Sequence, residues 1–193
     1  MQPFLYGSEE HFRYQLIKGQ IAKELVRGLL ETSHDYQVYS FGYETSISQL
    51  RFHVGHNRGR GVEHTHSNDR MRSMPDLIVY DRESNRTSFV EVKFRSANSP
   101  LRVSLPTREL SWSQKYWNDC IWIVVIPVEH NFYAQKVANI RLFDQFKTHR
   151  YDLTTEFRPI EEEFPKVTTE NILKYCNIRE NFLINGSSQE TEE

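Results

Sequence analysis

Residues 75–94, PDLIVYDRESNRTSFVEVKF, decide the fold of this chain of 193 residues. The apolar run at 77–80 predicts one strand, and the alternating run at 88–94 predicts a second. Between them, DRESNR has the polar, turn-forming composition that separates two strands. The segment therefore predicts a β-hairpin.

The predicted hairpin brings charged side chains together at its open end. With the turn centred near Ser84, the residue numbers of two paired residues should add up to about 168. This register sets Asp76 opposite Val92. Side chains alternate along a strand, so Glu91 and Lys93 share one face within reach of Asp76. We therefore predict two carboxylates and a lysine at one end of the hairpin.

Clustered carboxylates with a neighbouring lysine suit phosphodiester chemistry. Two adjacent carboxylates raise each other's pKa unless a cation lies between them. Mg²⁺ binds through one or two carboxylates, keeps several waters and accepts phosphate oxygens, and it can polarise a phosphodiester and activate water. A lysine beside it can stabilise the negative charge that develops. The alternative is a solvated cross-strand ion pair, which contributes little and leaves the apolar strands unexplained.

The string PDLIVYDRESNRTSFVEVK resembles the signature of the PD-(D/E)XK nuclease superfamily, with Pro75, Asp76, Glu91 and Lys93 in its named positions. The stretch 19–127 fits the core order of that family: helix, strand, hairpin, helix, strand. The resemblance implies an α/β, restriction-endonuclease-like fold, with a central mixed β-sheet flanked by helices. It also implies metal-dependent hydrolysis of DNA, and we favour an endonuclease because no second domain is evident.

The resemblance assigns roles to the motif residues. Asp76 and Glu91 would ligate Mg²⁺ (or Mn²⁺), and the backbone carbonyl of Val92 would be a further ligand. Lys93 would be the catalytic lysine.

Two further residues match positions that members of the family use. A glutamate on the first helix corresponds to Glu24 in IKGQIAKELVRGLL, and a glutamine on the helix after the motif corresponds to Gln114 in SWSQKYW. The alternatives are an exposed Glu24 that pairs with Arg27 three residues on, and a Gln114 that is an ordinary surface residue of its helix.

The rest of the chain predicts the other elements of an α/β domain. The apolar stripe Ile17, Ile21, Leu25 and Leu29 predicts a helix over 12–31. We expect a single domain over 1–185, with its core at about 12–128, and a disordered acidic tail over 186–193. The remaining predictions are a strand at 36–41, an exposed loop within 45–70, a helix at 107–118, a buried strand at 120–128 and helices at about 133–148 and 168–176.

Charge is unevenly distributed along a chain whose net charge is −2. Residues 51–115 carry 12 Lys and Arg against 7 Asp and Glu, whereas residues 152–193 carry 4 against 10. A basic region suits a phosphate backbone, and the planar guanidinium of arginine suits bidentate phosphate contacts. The candidate nucleic-acid contacts are Arg58, Arg60, Arg70, Arg72 and Arg95.

A histidine-rich segment, 53–66, lies directly upstream of the motif and is placed to cover a substrate. His64 and His66 offer two imidazoles to a transition metal. No cysteine lies nearby, however, and the neighbouring arginines favour phosphate contacts or solvation over a zinc site.

Composition limits the class of protein and its partners. With only Cys120 and Cys176, the chain is neither a disulfide scaffold nor a cysteine-based zinc protein, which indicates a reduced, cytoplasmic setting. No membrane or secretory segment is evident. The expected partner is DNA, and analogy with small dimeric resolvases suggests a homodimer. The alternatives are a non-catalytic nucleic-acid-binding or assembly module on a decayed nuclease fold and a ribonuclease of the same fold.

Overall fold

A six-stranded mixed sheet with helices on both faces organises the protein, and a separate two-stranded ribbon covers part of one face. The computed structural model describes residues 9–42, 66–95, 101–126, 131–143 and 147–183. The predicted α/β class with a central mixed sheet is confirmed. In chain order the described elements are α1 (Glu9–Glu31), β1 (Tyr36–Ser40), α2 (His66–Arg72), β2 (Leu77–Asp81), β3 (Arg86–Phe94), β4 (Arg102–Pro106), α3 (Thr107–Tyr116), β5 (Ile121–Val125), β6 (Tyr133–Lys136), a 3₁₀ turn (Val137–Asn139), β7 (Thr148–Asp152), α4 (Leu153–Glu156), β8 (Arg158–Pro159), α5 (Ile160–Glu163) and α6 (Thr169–Leu183).

The strands of the large sheet lie in the order β1-β2-β3-β5-β6-β8. Neighbouring strands are antiparallel except β3 and β5, which run parallel. Parallel strands need a crossover, and the chain between β3 and β5 contains α3. The order helix, strand, hairpin, helix, strand is present as α1, β1, β2–β3, α3 and β5.

Strand β5, with the sequence IWIVV, is buried along its whole length and separates two cores. Ile121, Ile123 and Val125 join the core beneath α1 and α6. Trp122 and Val124 point the other way and join the core beneath α3 and the ribbon. A strand that is covered on both faces has a continuous apolar sequence, which is why this element was predictable.

Helix α1 packs on the sheet through its C-terminal half. Leu29 is fully buried there, whereas Ile17, in the same predicted apolar stripe, is 56% exposed. The close approach of α1 to α6 depends on Gly28, because a Cβ at that position would lie 2.7 Å from the Tyr175 hydroxyl. A larger residue at Gly28 would clash with the Tyr175 ring and force that side chain to move.

The ribbon of β4 and β7 is antiparallel and packs its alternate residues inward. Val103, Leu105 and Tyr151 are buried in the core beneath the ribbon. The Tyr151 hydroxyl donates a hydrogen bond to the Arg141 carbonyl at 2.8 Å, so the buried phenol is satisfied. This ribbon was not predicted from the sequence.

Three predicted elements differ from the structure. The helix predicted at about 133–148 is wrong: residues 133–136 form β6, whose pairing with β5 buries Ala134 and overrides local helix propensity. The loop predicted within 45–70 ends in a helix, α2. The register of the hairpin is shifted by one residue from the prediction: the numbers of paired residues, such as Leu77 and Val90, add up to 167 instead of 168.

Several predictions lie on residues that the structure does not describe. These are the acidic tail at 186–193, most of the histidine-rich segment at 53–66, and Arg58 and Arg60.

Cys120 and Cys176 are both buried free thiols. Among the described helices, none combines the length and apolar character needed to cross a membrane.

Candidate active site

Asp76 is held at the point where the first strand of the hairpin begins. Its backbone carbonyl accepts a hydrogen bond from the Phe41 N–H at 2.8 Å. Its side-chain Oδ2 accepts one from the Val92 N–H at 2.9 Å. The β2–β3 ladder ends at the pair Leu77 and Val90. Beyond that pair, the Asp76 carboxylate binds the β3 backbone in place of a backbone carbonyl.

Val92 presents its carbonyl to the same place. The N–H and C=O groups of one strand residue point to the same side of the strand, so the bond from the Val92 N–H to Asp76 sets the direction of both groups. The Val92 side chain packs against the core beneath α1. The carbonyl that the resemblance assigns as a ligand therefore faces the edge where Asp76 lies.

Glu91 and Lys93 leave β3 on the face opposite to Val92. Glu91 lies beside Trp122 in the register with β5, and the Lys93 Nζ lies 4.9 Å from the centre of the Trp122 ring. Lys93 donates a hydrogen bond to Glu91 Oε1 at 2.7 Å, and only 12% of its side chain is exposed. The structure thus brings Asp76, Glu91 and Lys93 to one end of the hairpin.

Glu109 is a third carboxylate at this end, and it was not predicted from the sequence. Its Oε2 accepts a hydrogen bond from Lys93 Nζ at 2.8 Å, so Lys93 bridges Glu91 and Glu109. Glu109 lies in the first turn of α3, the helix that follows the motif strand. An acidic residue in the first turn of that helix was the available signal, but only the fold shows that the turn lies over Lys93.

Helix α1 contributes Lys23 rather than Glu24. The Lys23 Nζ lies 3.6 Å from Asp76 Oδ1, and 10% of the Lys23 side chain is exposed. Glu24 is 62% exposed, and its carboxylate lies 4.0 Å from Arg27. The reason is the rotation of α1 about its axis: Lys23 lies on the side of the helix next to Asp76, whereas Glu24 lines a cavity with Ile178 of α6. The structure does not bring Glu24 to the cluster.

The surroundings of Glu91 and Lys93 raise the pKa of both side chains. Burial raises the pKa of Glu91 to about 7, the charge of Asp76 adds to the rise, and Lys93 offsets only part of it. Burial alone would lower the pKa of Lys93, but the charges of Glu91 and Glu109 outweigh it and raise that pKa. A buried carboxyl that holds its proton near neutral pH beside another carboxylate is a site that an added cation would stabilise.

The oxygen donors at this end of the hairpin fit a hard divalent cation. The described residues contain no group of three or more His, Cys, Asp or Glu side chains arranged to hold a metal. Mg²⁺ needs no such group, because it binds through one or two carboxylates and keeps several waters. Asp76, Glu91 and the Val92 carbonyl would hold it, and the cation would offset the burial and the charge of Asp76 that raise the pKa of Glu91.

The Gln114 side chain connects α3 to the 3₁₀ turn that follows β6. Its Nε2 donates hydrogen bonds to the Val137 carbonyl at 3.1 Å and to the Ile140 carbonyl at 2.7 Å. These bonds hold the 3₁₀ turn after β6 against α3. The structure therefore does not bring the Gln114 amide to the cluster around Lys93.

Of the arginines predicted to contact nucleic acid, Arg95 lies beside the cluster and Arg70 and Arg72 lie on α2. Arg95 borders the cluster, because its NH2 lies 3.9 Å from Glu109 Oε2, and burial lowers its pKa. Arg70 is exposed on α2, with its guanidinium 5.7 Å from the centre of the Trp117 ring. Arg72 closes α2, and its side chain is outside the described part of the structure.

Two solved structures of nucleases are similar to this chain. The Holliday junction resolvase Hjc from Archaeoglobus fulgidus has a TM-score of 0.45 and 13% sequence identity, over 75% of this chain and 98% of that one. D212, a nuclease from a fusselovirus, has a TM-score of 0.38 and 10% identity, over 91% of this chain and 98% of that one. At these values the similarity concerns the fold alone. No family model matches the sequence, and the curated proteins contain no match to it.

The backbone order itself is the distinguishing observation. One mixed sheet joins β1, the β2–β3 hairpin and a parallel β5, with α1 on one face and α3 on the other. The residues of the PD-(D/E)XK pattern meet at the open end of that hairpin. The chain therefore has a mixed α/β fold with the order of elements and the placement of motif residues that the resemblance to the PD-(D/E)XK nucleases implies.

Proposed function

We propose that the protein is a metal-dependent nuclease that hydrolyses phosphodiester bonds of DNA, acting as an endonuclease. The observation that carries the proposal is the open end of the hairpin. There the Asp76 carboxylate is fixed by the Val92 N–H at 2.9 Å, and Lys93 is fixed by Glu91 at 2.7 Å and Glu109 at 2.8 Å. A solvated ion pair would not need this burial or this number of partners.

The roles follow from the geometry. Asp76, Glu91 and the Val92 carbonyl would hold Mg²⁺ or Mn²⁺, which when bound polarises the phosphodiester and lowers the pKa of a water. Lys93 carries a permanent positive charge beside these oxygens, where it would stabilise the negative charge that builds up on the phosphate. Glu109 keeps the Lys93 ammonium in place from the α3 side.

The choice of substrate rests on charge. Residues 51–115 carry an excess of five positive charges, 12 Lys and Arg against 7 Asp and Glu, and this region contains the whole candidate site except Lys23. An excess of positive charge in this part of the sequence favours a polyanionic substrate. DNA is favoured over RNA by the resemblance, and a closed circular DNA, which has no ends, distinguishes endonuclease from exonuclease action.

The test is a cleavage assay of the purified protein on plasmid, linear, single-stranded and four-way-junction DNA and on RNA, with Mg²⁺ or Mn²⁺ against EDTA. We expect metal-dependent cutting of closed circular DNA that Lys93→Ala abolishes. Lys174→Ala is the matched control, because Lys174 is an exposed lysine on α6. Cutting that persists in Lys93→Ala would overturn the site. Cutting of RNA but not DNA would mean that the protein is a ribonuclease. Salt-sensitive DNA binding without any cutting would support the non-catalytic module instead.

A further inference from the structure

The β4–β7 ribbon has an apolar face and a basic face. Its inward residues, including Leu105 and Tyr151, are buried in the core that it covers. The alternate positions along both strands face solvent. The exposed side chains among them are Arg102, Ser104, Thr148 and Arg150.

The positive charge on this face is only partly neutralised. The Arg102 Nε lies 3.8 Å from Asp152 Oδ2 across the ribbon, and the Arg102 side chain is still 68% exposed. Arg150 lies opposite Ser104 and has no ion pair with any residue that the structure describes. Two arginines, one on each strand of the ribbon, thus face solvent beside the hydroxyl groups of Ser104 and Thr148.

Further cations lie at the far end of the ribbon. Lys147 is exposed directly before β7, and Arg108 is exposed in the first turn of α3. The two segments are joined by a hydrogen bond from the Thr107 N–H to the Lys147 carbonyl at 3.1 Å. The basic face therefore continues from the ribbon to the start of the helix that carries Glu109.

A short series of contacts joins the ribbon to the candidate active site. The Arg95 Nε donates a hydrogen bond to the Ser104 carbonyl at 3.1 Å. The Arg95 NH2 lies 3.9 Å from Glu109 Oε2, which accepts the hydrogen bond from Lys93 at 2.8 Å. The ribbon and Lys93 are therefore separated by two side chains.

We propose that the solvent face of the β4–β7 ribbon, residues 102–106 and 148–152, binds the phosphate backbone of duplex DNA beside the bond to be cut. This inference rests on the proposed function, because it places the DNA that the site would cleave. Arg102 and Arg150 supply charge, and Ser104 and Thr148 supply hydroxyl donors. These are side chains that commonly contact phosphates, and such contacts position a duplex without selecting its sequence.

Two features favour a duplex on this face. The exposed positions of the ribbon carry no aromatic side chain, whereas grooves for single strands use aromatic residues on which bases stack. Acidic residues concentrate after the ribbon: α5 carries Glu161, Glu162 and Glu163, and residues 153–193 hold 9 acids against 4 bases. A polyanion would be repelled from that part of the chain.

The experiment measures binding of a fluorescent DNA duplex in EDTA over a range of salt concentrations, for the wild type and Arg102→Gln/Arg150→Gln. We expect the slope of log Kd against log salt to fall by about 2, close to one unit for each phosphate that an arginine no longer neutralises. Arg150→Lys keeps the charge and should keep the slope. The matched control is Arg86→Gln/Lys174→Gln, which removes two exposed charges at the hairpin turn and on α6.

The outcomes separate the interface from the nuclease proposal. A slope that falls in the ribbon variant alone supports the interface, whether or not the wild type cuts DNA. An unchanged slope, an equal fall in the control, no DNA binding by the wild type, or a fall seen only with an RNA duplex of the same sequence overturns it. Failure of the wild type to cut any substrate with metal overturns the nuclease proposal and leaves the binding result to stand.

Discussion

At each end of the β2–β3 hairpin, carboxylates surround one lysine, and the carboxyl groups of the two clusters differ in pKa. At the turn, Lys166 Nζ lies 2.5 Å from Asp81 Oδ1 and 2.9 Å from Glu83 Oε2. At the open end, Lys93 is bound in the same way by Glu91 at 2.7 Å and by Glu109 at 2.8 Å. Each lysine is shared by two carboxylates, so ion pairing alone does not distinguish the ends.

The difference lies in the pKa of the carboxyl groups. At the turn, the hydrogen bond from Lys166 and the backbone amides of Glu83 and Ser84 hold the pKa of Asp81 well below its ordinary value. At the open end, burial and the charge of Asp76 raise the pKa of Glu91 to about 7. At the turn the protein stabilises the charged form of Asp81, whereas at the open end burial and the charge of Asp76 disfavour the charged form of Glu91 in spite of Lys93. The first arrangement stabilises a fold, and the second suits a ligand.

The largest effect should come from neutralising matched aspartates at the two ends. Asp76→Asn keeps an oxygen that can accept the Val92 N–H, so the fold should persist while cleavage falls by at least about 10²-fold, because a metal ligand is lost. Asp81→Asn should instead lower the melting temperature and leave cleavage unchanged. Cleavage rates and thermal unfolding of both variants test this, and an active Asp76→Asn would remove Asp76 from the site.

The second effect concerns stability as a function of pH in EDTA. The pKa of Glu91 in the folded protein, about 7, lies above its ordinary value of 4.5, so the folded state holds the proton more tightly. The stability from this proton is fully present below pH 4.5 and is lost as the pH rises through about 7. Glu91→Gln should remove this loss and melt at a higher temperature than the wild type above pH 7.

The control for the pH experiment is Glu162→Gln. Glu162 is exposed and pairs with Arg158 at 3.4 Å, so its loss should leave the pH profile of stability unchanged. Asp81 gives the opposite slope, because its lowered pKa contributes stability above its ordinary pKa of 3.8 that is lost as the pH falls below that value. A Glu91→Gln profile that follows the wild type would show that the open end is as well satisfied as the turn.

A smaller effect is expected from removing the lysine at the turn. Lys166 joins the segment before α6 to the hairpin, a contact between residues 85 positions apart, and its Nζ also lies 5.5 Å from the centre of the Tyr36 ring. Lys166→Met should lower the melting temperature by a few degrees and keep the metal-dependent cleavage rate. A loss of cleavage without a loss of stability would mean that the turn cluster has a role in the reaction.

Much of the fold was predictable because its central elements carry strong local patterns. The apolar run of β5, the alternation in β3 and the polar turn between β2 and β3 place the hairpin and its parallel neighbour. The ribbon and β6 were missed because their formation depends on distant partners: β4 pairs with β7, and β6 is a strand because β5 is beside it. Ala134 and Gln135 alone favour a helix.

The candidate site divides in the same way. Asp76, Glu91 and Lys93 were predictable because two strands of one hairpin determine their separation. Glu109 and Lys23 were not, because each comes from a helix whose rotation and side of the sheet are set by packing. The resemblance placed a glutamate of α1 at the site, and the packing of α1 turns its neighbour Lys23 there instead.

The smallest effect is therefore expected at Glu24. Glu24→Gln should leave the cleavage rate within about twofold of the wild type, because this exposed carboxylate pairs with Arg27 at 4.0 Å and not with the cluster. Lys23→Gln is the informative comparison: its ammonium lies 3.6 Å from Asp76, so its loss should slow cleavage about tenfold, as expected when a group that orients a metal ligand is removed. Both rates are measured at saturating Mg²⁺. If the order is reversed, α1 must rotate when DNA and metal bind, and the glutamate that the resemblance assigns would then face the open end of the hairpin.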